Sequence, residues 1–85
     1  MLPLYPQYSA TTTASIFDAV TKEVGKQRWL PELRFINHYH DDPAYIDALA
    51  DSVRRHQAEH GQAEKLVMSF HGIPKEYFMK GDPYH

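Results

Sequence analysis

Apolar positions recur along the chain with two different periods. Ile16, Phe17, Val20 and Val24 share one face of a helix-period segment, and Tyr45, Ile46, Leu49, Ala50 and Val53 form a second such stripe. Leu33-Arg34-Phe35-Ile36-Asn37 and Lys65-Leu66-Val67-Met68-Ser69-Phe70 are instead short compact apolar runs, the pattern of strands, the second of a strand buried on both faces. The opening run from Leu2 to Ser9 is apolar and aromatic. Its two prolines, Pro3 and Pro6, remove ladder donors, so it suits the exit from a strand better than the middle of one.

The residues between these segments set their limits. Thr11 or Thr12 can cap the first helix and Gly25 end it. Asp42 is a natural cap for the second helix, Pro43 a natural first residue and Gly61 its close. Arg54, Arg55, His56 and His60 gather in its last turns, where the helix dipole favours positive charge, and Asp51 with Arg55 is a stabilising i,i+4 pair. Lys75 to Lys80 suits a short helical turn ending at Gly81, followed by an Asp82-Pro83 turn.

The order strand exit, helix, strand, helix, strand is that of right-handed crossovers in a parallel sheet. The expected architecture is α/β: a fragment of a flavodoxin-like or chelatase-type parallel sheet with flanking helices, β-α-β-α-β. Ligands of such sheets bind at the carboxyl ends of the strands, here Tyr5 to Ser9, His38 to His40, and His71. Three strands are too few to cover both edges of a parallel sheet, so residues 1–85 read as one partial domain of something larger. Its uncovered edges and apolar surface suggest self-association.

Composition narrows the function. No apolar run approaches the roughly 20 residues that span a bilayer, and the amino terminus lacks a signal-peptide pattern. A net charge of -2 with scattered Lys and Arg gives no basic face for nucleic acid. Without cysteine there is neither a disulfide framework nor a thiolate metal site, and a cytoplasmic setting is compatible with that.

The remaining chemistry rests on histidine. His71 leaves a buried strand and enters Gly72-Ile73-Pro74, which holds its backbone while its ring can face a crevice. Imidazole ligates borderline divalent metals and exchanges protons near neutral pH. The competing reading is a hydrogen-bonded structural histidine. His38 and His40 would share a face if the strand reached them and could then pinch a metal; otherwise they are polar strand-end residues. His56 and His60 have the helical i,i+4 chelating spacing but no third ligand, so surface histidines is the better reading. Ser9, Thr11, Thr12 and Thr13 stand at a helix start, where free amides attract an anion or, more commonly, are capped locally.

Four motifs together resemble the ferrochelatase family: Leu2-Pro-Leu-Tyr-Pro-Gln-Tyr-Ser9 with Thr11-Thr12, Asp42-Pro43-Ala-Tyr45-Ile46, Ser69-Phe-His-Gly-Ile-Pro74 and Gly81-Asp-Pro-Tyr84. The resemblance implies insertion of ferrous iron into protoporphyrin IX, giving protohaem in haem biosynthesis. It implies that His71 is a metal ligand, a proton acceptor or both, and that Tyr84 lies near the porphyrin. Tyr8 and Ser9 join Tyr84 as candidate substrate-binding residues. No tightly bound cofactor is implied, ferrous iron entering as substrate. The resemblance covers only a middle portion of the family, without its opening strands or second domain. The family's glutamate opposite the histidine has no counterpart here, so the chain alone is expected to be inactive.

A noncatalytic metal- or tetrapyrrole-binding α/β module is the alternative. A generic flavodoxin-like domain would carry a glycine-rich loop after its first strand, where this chain has Tyr8-Ser9-Ala10-Thr11-Thr12. Related chelatases acting on other tetrapyrroles are a further alternative, and the Gly-Asp-Pro-Tyr turn following the His-Gly-Ile-Pro loop favours the protoporphyrin branch.

Overall fold

The computed structural model describes residues 1–85. Its regular elements are a π-helical turn at Ala10–Ala14 and three α-helices: α1 (Ser15–Val24), α2 (Pro43–His60) and α3 (Lys75–Met79). There is no strand, so the expected parallel sheet with flanking helices is not formed.

The chain divides into two compact units, Met1–Tyr39 with Ile73–His85, and His40–Gly72. In the first unit, the runs read as strands come near one another without forming a ladder. The Met1 amino group donates to the Arg34 carbonyl, and the Ile36 amide donates to the Met1 carbonyl at 3.2 Å. In parallel register the next donor would be residue 3, and it is proline, which has no N–H to give. Tyr39 takes over instead, its hydroxyl donating to the Pro3 carbonyl at 2.7 Å and its amide to the Pro6 carbonyl at 2.8 Å. Phe35 meets α1 edge-on, its ring centroid 4.4 Å from that of Phe17. The Thr13 hydroxyl donates to the Asn37 carbonyl at 3.4 Å.

The second unit consists of α2 and the irregular stretch that follows it. Asp42 caps α2 as its sequence predicts, Oδ1 accepting from the amides of Ala44 and Tyr45 at 3.0 and 3.2 Å, with Pro43 in the first turn. Gly61 ends the helix at φ +84°, a backbone conformation that side chains with a Cβ disfavour. The exposed ion pair on α2 joins Asp51 to Arg54 at 3.0 Å, three residues on, where Arg55 was the expected partner.

Beyond Gly61, the run Leu66–Phe70 is irregular and belongs to no ladder. Leu66, Val67, Met68 and Phe70 are 65%, 87%, 71% and 72% exposed. A helix satisfies its amides within itself, whereas a strand needs a second strand alongside. An apolar run has no reason to be buried when nothing lies against its two faces.

Apart from Pro3, no apolar side chain of the chain is buried. α2 is held mainly by its local bonds and cap, and the apolar stripes of α1 and α2 are half-buried to exposed.

Candidate functional site

The two buried polar residues, Ser9 and Thr13, lie where the first helix begins. Ser9 has an extended backbone (φ -148°, ψ 153°) and caps the π turn, its Oγ accepting from the Thr11 amide at 3.3 Å. The cap lies before either expected threonine because the wide turn adds residues ahead of α1. The Ser9 carbonyl receives the amides of Thr12 and Ala14 at 3.2 and 3.3 Å, and the Thr12 hydroxyl at 3.3 Å. The Ser15 hydroxyl reaches the Ala10 carbonyl at 2.9 Å. Hydroxyls on a Ser/Thr-rich segment supply bonds that compete with the regular α pattern, which gives a physical reason for a wide turn at this place. Such turns occur often at functional sites.

The Gly-Asp-Pro-Tyr segment meets this helix start from the far end of the chain. α3 closes with the Gly81 amide on the Phe78 carbonyl and the Asp82 amide on the Tyr77 carbonyl, both at 3.0 Å. This is the paired closure that a glycine at positive φ permits, and Gly81 stands at +92°. The turn sends Asp82 back over the helix start. Its Oδ2 accepts from the Ser9 hydroxyl at 2.8 Å and from the Ala10 amide at 2.9 Å, while Oδ1 accepts from the Tyr84 amide at 3.0 Å. One carboxylate thus joins residues 72 and 73 positions apart in sequence. The Tyr84 amide is the main cause holding the Asp82 carboxyl below the usual carboxylate range. Desolvation opposes that shift, and the Ala10 amide and Ser9 hydroxyl add to it.

This geometry identifies the anion at the helix start as the chain's own carboxylate, the partner that free amides at a helix N-terminus favour. Ser9 is fully buried, its hydroxyl shared between Asp82 and Thr11 Oγ1. Tyr8 beside it and Tyr84 beyond Asp82 are half-buried. The structure therefore brings together three of the candidate residues, Tyr8, Ser9 and Tyr84, in one unit. Asp82, which binds two of them, was legible beforehand only as part of a turn. The available signal was an Asp directly after a helix-closing glycine, where its carboxylate can accept the amide two residues on.

His71 belongs to the other unit, in an irregular stretch, with an exposed side chain. It sits beyond Phe70 as expected, but the run it leaves is not a strand. His38 and His40 fall on either side of the division between units and are both exposed. His56 and His60 lie in the last turns of α2. Nowhere do three or more His, Asp or Glu side chains gather so as to hold a metal ion.

The family model for ferrochelatase matches residues 1–85. A ferrochelatase of Marinobacter nauticus is 61% identical over 85 residues, covering 100% of this chain and 23% of the relative. One from Hydrogenovibrio crunogenus is 62% identical over 84 residues, covering 99% of this chain and 22% of the relative. One from Idiomarina loihiensis is 60% identical over 85 residues, again 100% of this chain and 23% of the relative. No solved structure matches the chain. The chain thus spans less than a quarter of the length of these curated relatives. With every one of its residues inside the matched region, the chain belongs to the ferrochelatase family.

Proposed function

We propose that these residues are the histidine-bearing part of a cytoplasmic lyase that inserts ferrous iron into protoporphyrin IX. The observation that carries this reading is the family match along the whole chain, including His71 and the Gly81–Tyr84 turn. No helix of the chain is long and apolar enough to cross a membrane.

The chemistry demands that two pyrrole protons leave as one divalent iron enters, so that charge is conserved. A neutral imidazole has one lone pair, used either to accept a proton or to ligate iron at a given moment. His71 serves in one or both of these roles in turn, and a second acceptor completes the proton transfer. We take that group to be a carboxylate outside these 85 residues. Tyr84 and Tyr8 present aromatic surface to the macrocycle, and Asp82 holds the Tyr84 backbone in place through its amide. Ferrous iron is substrate here and requires no resident cofactor.

The test is to place this chain in the frame of the Marinobacter nauticus relative, in exchange for the segment it matches. The chimera should insert iron, and His71→Ala should lower its kcat/KM by about 100-fold or more, the usual scale for losing a positioned proton acceptor. Activity within threefold of the parent chimera would refute the assignment of His71. The isolated 85-residue chain is expected to shift a porphyrin absorption band without metal insertion. Turnover by it would contradict the need for an outside carboxylate, and an inactive parent chimera that still binds porphyrin would favour a noncatalytic binding module.

A further inference from the structure

The last two turns of α2 carry a pair of imidazoles whose arrangement the iron-insertion reading does not use. His56 and His60 stand one helical turn apart with their rings stacked, centroids 4.4 Å apart and planes inclined by 20°. The His60 Nδ1 lies 3.2 Å from the His56 carbonyl oxygen. A carbonyl only accepts, so this bond puts a proton on Nδ1 of His60, and in the neutral ring the lone pair is then on Nε2. A backbone carbonyl fixing one ring nitrogen so that the other can ligate is the usual support of a metal-binding histidine.

The pair borders an open hollow of about 510 Å³, lined in part by Ser52, Gln57, Gly61 and Leu66. His71 is not among the residues that line it. Both imidazoles are exposed, so an ion can reach them without any part of the helix opening.

We propose that His56 and His60 form a two-histidine site for a borderline divalent transition metal such as Zn²⁺, with water filling the remaining positions. Zinc takes imidazole nitrogen at about 2.0–2.1 Å. Chelation requires the stacked rings to turn so that a nitrogen of His56 converges with Nε2 of His60 on one ion. The helix sets the spacing, and the backbone bond sets the tautomer of one ligand in advance. The site is independent of the function proposed for His71.

Zn²⁺ titration of the 85-residue chain by calorimetry tests this, read together with the imidazole nitrogen resonances. Binding of one ion per chain is expected at this site, with the His56 and His60 resonances moving together. His56→Ala and His60→Ala should each weaken it at least tenfold, and His71→Ala should leave it within twofold. His60→Gln serves as the second variant, since glutamine is a good helix former. Its loss of affinity with unchanged far-ultraviolet dichroism would read as the loss of a ligand and not of the helix. Affinity retained within twofold in either His60 variant, or binding abolished by His71→Ala alone, would overturn the proposal.

Discussion

Replacing Ser9 by alanine should release the start of the first helix while leaving α2 intact. From a fully buried position the Ser9 hydroxyl accepts the Thr11 amide, donates to Asp82 and also bonds the Thr11 hydroxyl. Loss of an N-cap side chain costs about 1 kcal/mol. Loss of a second hydrogen bond made by the same hydroxyl costs about 1 kcal/mol more. The sum of about 2 kcal/mol is an approximately 30-fold shift in the local opening equilibrium. Amide hydrogen exchange followed residue by residue is the assay. Protection at Ala10, Thr11 and Tyr84 should fall about 30-fold, whereas amides of α2, which belongs to the other unit, should be unchanged. A double variant with Asp82→Ala should lose less than the two single losses added together, because the same bond is counted in both. Unchanged protection at Tyr84, or strictly additive losses, would refute the view that Ser9 and Asp82 hold the two ends of this unit together.

Three further outcomes are expected. The Asp82 carboxyl titrates below its unfolded value, so its stabilising effect is complete above the ordinary carboxylate pKa and is lost as the pH falls through the lowered one. Acid titration followed by exchange at Tyr84 should show that loss, and Asp82→Asn should abolish the pH dependence; a variant with the parent acid profile would count against it. Asp42→Ala removes the acceptor of two first-turn amides of α2, should cost that helix about 1 kcal/mol and should lower ellipticity at 222 nm. An unchanged spectrum would show that the cap contributes nothing. Leu66, Val67, Met68 and Phe70 form an exposed apolar run, so the isolated chain should self-associate as its concentration rises, and Leu66→Glu with Val67→Lys should reverse this. Sedimentation as a single monomeric species at every concentration would dispose of that expectation.

The extent of α2, the closing glycines of α1 and α3, and the family were all legible in the order of the residues. Asp42, Pro43 and Gly61 delimit α2 where the sequence reading put them, and Gly25 and Gly81 follow α1 and α3 as expected. These features are legible because helix bonds, caps and closing glycines act over a few residues. The fate of the apolar runs and the partner of the helix start depended instead on contacts between distant segments. A strand exists through bonds to a distant segment, so the apolar pattern proposed Lys65–Phe70 as a strand but could not supply its neighbours, and Pro3 interrupts the one pairing that begins. In the same way, nothing in the local run Tyr8 to Thr13 could show that its amide and hydroxyl meet the carboxylate of Asp82, more than 70 residues away. That contact depends on how Gly81 turns the chain, a matter of geometry in space and not of pattern along the sequence.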